Sequence, residues 1–475
     1  MPSYKSLSYF IGFNANMCIG SIIFGYFLTV YNPLMNQIDY LNNWNDPTDK
    51  STFEGIITSV IPLGGAFGSL ISPYFLNRIG RKYTCLISDI ICVIGSIISL
   101  INSFPALLIG RFICGIYIGL NSNLVPIYLR EINPSEISDY LGGLFNLLLN
   151  LGILLAFLFG LNTIRNAELE AGKQDGWWRF MFGFPIITIF RSIILFFVFK
   201  CESPYHLLMK NKEDECLEFF KKHYEEEFVN TLFNSLKKRV KKAKSKSEPR
   251  LTTEMFSRRY FKRFCIGLML VFICQFSGIN AVGFYSTKLF TIYGKSDTIA
   301  NYLNGAYSVF SILVSMSLGF FLKQFGIKKT YLANLFLCGA SLVSIAIFSY
   351  AEINIGTLAM IFSFNGFFNL GAGPLIFLII PQILPGKLVG LVFFIYWIFA
   401  FLVGLLFPKM IASAMGIEGS FLFFAGCVFL GFFFNLVFLE ETKGMSNEEI
   451  SALYRRLIPD NEENENDKGD EMEGE

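Results

Sequence analysis

Twelve long runs of apolar residues, separated by shorter polar stretches, dominate the chain. Each run is long enough for an α-helix to cross the hydrocarbon core of a bilayer, which takes about 20 residues. The predicted spans are 9–33, 54–76, 84–103, 105–131, 140–161, 179–200, 262–290, 299–322, 328–350, 355–383, 389–413 and 417–439. The short alternating segments of a membrane β-barrel do not occur. The pattern therefore predicts an all-α polytopic membrane protein.

A long polar stretch divides these runs into two sets of six. We predict an N-terminal six-helix bundle at 1–200, a cytosolic helical linker at 201–261, a C-terminal six-helix bundle at 262–440 and an acidic, largely disordered tail at 441–475. A weak internal repeat supports this division, because Phe75–Lys82 is similar to Phe321–Lys329. Related six-helix halves that meet at a midplane site are a transporter architecture.

Two segments of the linker carry a pattern of their own. Apolar residues at near-helical spacing predict one amphipathic helix over 214–233. The basic run at 239–250 has two readings that we leave open. It is either a solvated linker or a segment that touches anionic lipid headgroups at the cytosolic leaflet.

Lysine and arginine are concentrated in alternate polar stretches. They cluster between spans 2 and 3, through 200–263, at 323–329 and near 455, while the intervening loops hold few. Because basic residues are retained on the cytosolic side, both termini are expected to be cytosolic. We expect an integral protein of the plasma membrane.

Composition narrows the function classes further. The chain is 53% hydrophobic and 16% charged, against about 25% charged in globular proteins. A net charge of +2 gives no reason to expect a nucleic-acid partner, and no protein partner is implied beside membrane lipid. The ten cysteines lack paired spacing, so we expect neither a metal site nor disulfides.

Span 7 is unusually polar for a membrane helix. It carries Gln275, Ser277, Asn280, Ser286 and Thr287, together with Gly278 and Gly283. Unpaired amides and hydroxyls are costly in hydrocarbon, so these side chains must face protein or a water-filled cavity. A polar, flexible helix at membrane depth predicts a solute pathway.

The stretch Gln275–Thr287 resembles the helix 7 signature of the sugar porters of the major facilitator superfamily, and especially of the facilitative glucose transporters. It departs only in having Phe276 for a leucine. Gly110–Gly115 and Val125–Glu131 are similar to span 4 of the same family. The resemblance implies a twelve-helix major facilitator fold and monosaccharide transport by alternating access. It implies no catalytic residue and no cofactor.

The resemblance also implies a set of substrate-binding residues. Gln275, Asn280 and Trp397 match family positions, whereas Asn146, Cys274, Ser311, Asn369 and Phe377 stand where the family has Gln, Gln, Asn, Glu and Trp. Amides suit a sugar because each offers both a donor and an acceptor. Aromatic walls cover the apolar face of the ring. A hexose such as glucose is the expected substrate.

A second set of family positions is charged and lies at the predicted inner face. It comprises Arg78, Arg81, Glu131, Glu202 and Glu441, and Asn77 replaces the acid of the first basic loop. By the resemblance, the acids pair with the arginines and form charged latches between the halves. The alternative is that these are ordinary positive-inside charges.

The expected energetics rest on span 1. Phe27 stands where proton-coupled sugar porters have an aspartate, and spans 1, 4, 5, 7, 8, 10 and 11 hold no acid in their cores. A proton carrier must titrate inside the membrane, so uniport is predicted. A proton–sugar symporter and a transport-dead sugar receptor remain alternatives. An enzyme is not expected. Arg111 either snorkels outward or serves the pathway.

Overall fold

The computed structural model describes residues 7–42, 44, 47–133, 135–167, 176–245, 258–384, 386–443, 445, 449–450 and 453–454. Within these residues, twelve helical segments are long and apolar enough to cross a membrane, which confirms the predicted spans. Spans 1–6 are Leu7–Thr29, Pro47–Arg78, Arg81–Ser99, Phe104–Ile132, Ser135–Ala167 and Trp177–Phe199. Spans 8, 9, 11 and 12 are Asp297–Phe325, Ile327–Tyr350, Gly386–Ala412 and Gly416–Phe438.

Spans 7 and 10 were predicted as continuous helices, and both are interrupted. Span 7 consists of Arg258–Phe276 and Ile279–Gly294, and Gly278 between them has a φ of 84°. A Cβ at Gly278 would lie 2.7 Å from the Phe424 ring, so this position favours glycine for its φ and for its packing. Span 10 consists of Asn354–Phe367, a π-helical turn at Phe368–Ala372, and Leu375–Ile383. Such turns are frequent at functional sites.

The helices pack mainly within the two sets of six. Span 1 packs closely on span 5, where a Cβ at Gly25 would lie 1.9 Å from the Leu149 carbonyl oxygen. Small residues allow this close approach of membrane helices. Spans 2 and 11 pack against each other, as do spans 5 and 8, and these two pairs join the halves. These two pairs form the most extensive contacts between the halves.

Because the number of spans is even, the first span begins and the last span ends on the same side of the membrane. Spans 1 and 7 begin, and spans 6 and 12 end, on the side that carries the insert between spans 6 and 7. We call this the insert side and the opposite one the far side. On the far side, span 1 leads into a short turn at Asn32–Leu34 and a helix at Met35–Leu41.

The described part of the insert forms helices at Pro204–Met209, Glu213–His223 and Glu226–Ser245. The single helix predicted over 214–233 is wrong, because Tyr224 is extended with φ −120° and ψ 155°. Packing against span 1 accompanies this break: the Tyr9 and His223 rings stack with centroids 3.8 Å apart. Residues 239–245 continue the third of these helices, which decides neither reading of the basic run, and 246–250 lie outside the described residues.

Candidate functional site

The break in span 7 places two amides together at membrane depth. Gln275 lies in the last turn before the break and Asn280 in the first turn after it. The Asn280 Nδ2 group donates a hydrogen bond to Gln275 Oε1. Gln275 is 1% exposed, and its Nε2 group has no partner with hydrogen-bond geometry among the described residues. Because buried donors are normally paired, this amide is suited to donate to a polar ligand.

Aromatic rings from both halves meet beside these amides. The Phe24 ring of span 1 lies 5.9 Å from the Phe145 ring of span 5 and 5.9 Å from the Trp397 ring of span 11, centroid to centroid. Tyr396 lies close to Gln275 and 5.5 Å from Trp397. The rings therefore form an apolar wall shared by the two halves.

Phe377, the other aromatic position predicted for the site, lies further along the same row of rings. It stacks on Phe393 with centroids 5.2 Å apart and meets the edge of Tyr396 at 5.7 Å. Its side chain is 52% exposed, whereas that of Trp397 is 6% exposed. Tyr396 therefore connects the exposed end of this row with the buried end.

A chain of hydrogen bonds joins Ser311 of span 8 to Asn369 of span 10. Asn369 Nδ2 donates to Asn365 Oδ1 at 2.8 Å, and Asn365 Nδ2 donates to Ser311 Oγ at 2.5 Å. Ser311 in turn donates to the Tyr307 carbonyl at 2.9 Å. The bridging Asn365 was missed by the sequence interpretation. Protein partners thus occupy the Ser311 hydroxyl.

Cys274 and Asn146 complete the predicted set. Cys274 is 3% exposed, and its carbonyl accepts a hydrogen bond from Ser277 Oγ at 2.8 Å, which braces the break in span 7. Asn146 is half-buried on span 5, directly after Phe145. The Asn146 carbonyl accepts from Asn150 Nδ2 at 3.0 Å. Asn146 therefore follows a ring of the aromatic wall along span 5, and Cys274 is buried next to the break in span 7.

On the far side, polar contacts close the space between the halves. Asn32 Nδ2 donates to the Gly283 carbonyl at 2.9 Å and to Ser286 Oγ at 2.8 Å, while Asn32 Oδ1 accepts from the Thr287 N–H at 3.1 Å. Lys288 of span 7 lies 3.0 Å from the Glu54 carboxylate of span 2. These contacts join span 7 to spans 1 and 2, and none of them was predicted from the sequence.

On the insert side, the predicted gate charges of the first half pair within that half. Arg81 lies 2.7 Å from Glu131, as the resemblance implied. Glu202 accepts hydrogen bonds from the backbone N–H groups of Arg81 at 2.9 Å and Lys82 at 3.1 Å, so it caps the N-terminus of span 3. Burial raises the pKa of the Glu202 carboxyl, and these N–H donors oppose that rise. Arg78 is exposed and contacts Tyr74 instead.

The second half repeats this arrangement. Glu441 accepts from the backbone N–H groups of Ile327 at 3.0 Å and Lys328 at 3.1 Å, so it caps span 9 as Glu202 caps span 3. The predicted latch role across the halves stays a prediction, because in this structure both acids hold helix ends of their own half. The matching caps support the internal repeat.

Two buried charges escaped the sequence interpretation. Asp89 of span 3 and Arg191 of span 6 form an ion pair, and both side chains are fully buried. Arg191 Nη1 also donates to Asn121 Oδ1 at 2.8 Å, and Ser192 Oγ donates to Asp89 at 2.5 Å. The signal available in the sequence was an acid and an arginine, each within an apolar run of the first half. The expected absence of acids covered spans 1, 4, 5, 7, 8, 10 and 11, and Asp89 lies in span 3.

Arg111 does not snorkel, so that reading is wrong. Its side chain is 3% exposed, Nε donates to the Ile57 carbonyl at 3.0 Å, and the guanidinium lies 5.2 Å from the centre of the Tyr31 ring. Its Nη1 group has no hydrogen-bond partner among the described residues. Arg111 therefore places a buried positive charge just inside the far-side contacts.

Comparison with known proteins identifies relatives along nearly the whole chain. Residues 13–454 match the family model described as sugar (and other) transporter. The plastidic glucose transporter 4 of Arabidopsis thaliana is 32% identical over 464 residues, which cover 94% of this chain and 80% of that protein. The facilitated glucose transporter member 1 of Gallus gallus, of solute carrier family 2, is 28% identical over 465 residues and covers 92% of each chain.

Solved structures share the fold. The proton:xylose symporter XylE, bound to 6-bromo-6-deoxy-D-glucose, matches with a TM-score of 0.77 at 22% identity, over 94% of this chain and 99% of that one. The partially occluded inward-open form of XylE from E. coli matches with a TM-score of 0.78 at 22% identity, over 92% and 100%. The predicted twelve-helix major facilitator fold is confirmed.

Proposed function

The chain belongs to the sugar transporter family, and on that premise we propose that it carries a monosaccharide, a hexose such as glucose, across a membrane by alternating access. The observation that supports this best is the buried Gln275 amide, whose Nε2 group lacks a partner at the break of span 7. A sugar hydroxyl can accept from this group. The adjacent rings of Phe24 and Trp397 can cover the apolar face of the sugar.

Roles for the other predicted residues follow from their positions. Asn280 orients the Gln275 amide by donating to Oε1, and Asn146 offers a second amide beside the aromatic wall. Ser311 and Asn369 are bound to each other through Asn365, so we assign them to the shape of the site. Cys274 and Phe377 then act through packing, because a thiol is a weak hydrogen-bonding group.

The state of the two sides fits one stage of alternating access. The far side is closed by Asn32 and by the Glu54–Lys288 pair, which join the halves. On the insert side, Arg81, Glu131 and Glu202 pair within the first half, and Glu441 binds within the second. We infer that the site opens toward the insert side, and that the inner charges pair across the halves when it opens to the far side.

Uniport is the coupling mode that we propose. Phe27 cannot titrate, and Asp89 is paired with Arg191 with both side chains fully buried, so we assign Asp89 a structural role. One observation favours proton symport as a second candidate: Glu54 is an acid, 1% exposed, that lies in a membrane span at the contact between the halves. A buried acid in a span is a functional residue by default.

Uptake into proteoliposomes that contain only this protein separates the two modes. With glucose outside and no other gradient, we expect saturable uptake that stops when the inside concentration equals the outside one. An imposed pH gradient should leave that endpoint unchanged, because uniport follows the sugar gradient alone. Accumulation above the outside concentration, abolished by Glu54→Gln, would establish symport instead. Absence of uptake for every sugar in a panel of hexoses and pentoses would contradict the transport function itself.

We further propose that the insert side faces the cytosol, as the distribution of basic residues indicates, and that the membrane is the plasma membrane. Labelling of the native Cys216 in the insert cannot test this topology, because its side chain is fully buried. An impermeant maleimide should label Lys238→Cys, an exposed insert position, only after cells are permeabilised. It should label Asn102→Cys, exposed in the far-side loop between spans 3 and 4, on intact cells. The reverse pattern would invert the topology, and labelling of neither on intact cells would place the protein in an organelle.

A further inference from the structure

We propose that the Glu54–Lys288 ion pair holds the far-side gate closed and sets how often the carrier opens to that side. The inference rests on the proposed alternating access. It adds a gating role for two residues that were not among the predicted site residues. The pair joins span 2 of the first half to the outer segment of span 7 in the second. Opening the far side therefore has to separate it.

Lys288 is the nearest cation to the Glu54 carboxylate among the described residues. Glu54 is 1% exposed, and its carboxylate lies 3.0 Å from Lys288 Nζ. Lys50 lies 4.0 Å from Glu54 and is engaged at 2.9 Å with Asp39. The Lys288 side chain is 37% exposed, so only the acid of this pair is fully buried. Removing Lys288 leaves a buried carboxylate without its nearest cation, which costs more than losing a fully exposed pair. Neutralising either residue should therefore weaken the closed state.

Neighbouring contacts make Lys288 well placed to act on the gate. The preceding residue, Thr287, donates its N–H to Asn32 Oδ1, and its hydroxyl accepts from Asn304 Nδ2 at 2.8 Å. Tyr285 has non-helical angles of φ −123° and ψ 19°, which kinks this segment. The end of span 7 that carries Lys288 is thus bound to the first half. The kink at Tyr285 allows this end to move relative to the rest of the span.

Two buried polar groups near the far-side contacts favour opening of the far side. The Tyr31 hydroxyl and Arg111 Nη1 are buried without hydrogen-bond partners among the described residues. Such groups gain water contacts when a cavity opens around them, so their burial opposes closure. The Asn32 bonds and the ion pair must outweigh this opposition. The closed gate is therefore poised, and a small loss of attraction should shift the population.

A buried reporter cysteine tests the gate without any need for transport. Thr58 lies one turn beyond Glu54 on span 2, is 4% exposed, and is close to cysteine in size. In purified Thr58→Cys protein in detergent, Glu54→Gln and Lys288→Gln should each raise the rate of maleimide labelling by about tenfold. The double Gln variant should label no faster than the faster of the two single variants, because both substitutions act on the same interaction. Protein without the reporter corrects for the native cysteines.

The matched control is Lys50→Gln, which removes a lysine near Glu54 that does not cross between the halves. It should leave the labelling rate within about twofold of the parent, because Lys50, Asp39 and Glu54 all belong to the first half and opening the gate does not have to separate them. Unchanged labelling in both single variants, or single effects that multiply in the double variant, would overturn the gating role. If labelling responds as expected but proteoliposomes take up no sugar, the gate stands and the proposed function fails.

Discussion

Arg191→Leu should lower the free energy of unfolding by about 3–5 kcal/mol, the largest stability effect that we expect in this chain. The substitution leaves the Asp89 carboxylate fully buried in a membrane span, where the Ser192 hydroxyl and the Cys85 thiol are neutral donors to it. It also removes the donor to Asn121 Oδ1 and vacates the position against Gly20, where a Cβ would lie 1.9 Å from Arg191 Nη1. An uncompensated charge and lost packing act in the same direction.

The double variant Asp89→Leu with Arg191→Leu should recover most of this loss. Replacing a buried pair by apolar side chains is often neutral, because neither charge has to leave water. Thermal unfolding of detergent-purified protein, followed by the loss of the monodisperse species, measures the series. Arg179→Leu is the matched control, since Arg179 is an exposed arginine of the same span, and it should change stability by less than about 1 kcal/mol. Equal losses in the single and double variants would show that the two residues are not coupled.

Gln275→Ala should weaken sugar transport about tenfold. The Nε2 group of Gln275 has no partner with hydrogen-bond geometry among the described residues, so its removal deletes a hydrogen bond to the sugar rather than one within the protein. One such bond contributes about 0.5–1.5 kcal/mol, or roughly two- to tenfold in affinity. The loss falls at the upper end because Asn280 loses its acceptor as well. Asn280→Ala should follow closely, since it releases the Gln275 amide from its orientation.

Cys274→Ala and Ser311→Ala serve as matched controls on spans 7 and 8. Ser311 Oγ already donates to Tyr307 and accepts from Asn365, so a sugar finds it occupied. Both controls should change the half-saturation concentration by less than about twofold. Initial uptake at sub-saturating glucose and equal protein content is the measurement, with melting temperature recorded for each variant. Normal uptake by Gln275→Ala and Asn280→Ala would mean that span 7 is structural and that the sugar binds elsewhere.

Much of the architecture is predictable from local properties of the sequence. Each of the twelve spans is a contiguous apolar run, and hydropathy needs no knowledge of what the run contacts. The same holds for the polar character of span 7, where amides within a membrane helix mark a pathway before any neighbour is known. The acids Glu202 and Glu441 could likewise be placed at the inner face, because they end matching motifs of the two halves.

The candidate residues of the site could be selected from the sequence, but their arrangement could not be predicted. Gln275 and Asn280 could be selected by type and position, yet which of their atoms is occupied depends on the angle at Gly278, where φ is 84°. The exclusion of an internal acid did not extend to span 3, whose Asp89 is visible in the sequence, but the partner of Asp89 could not be predicted. Asp89 and Arg191 lie 102 residues apart, and no local pattern indicates that they pair.

Only the tertiary structure decided which contacts hold the halves together. Glu54 and Lys288 are 234 residues apart, and Asn32 and Thr287 are 255 apart. Such pairs form because spans 1, 2 and 7 converge on one side of the membrane, and the convergence depends on side-chain packing summed over many helices. A hydropathy run specifies that a helix crosses the bilayer but not its rotation, so Arg111 could be assigned to a span and not to its buried side. Helix rotation and contact across the halves are collective properties, and the far-side gate is built from both.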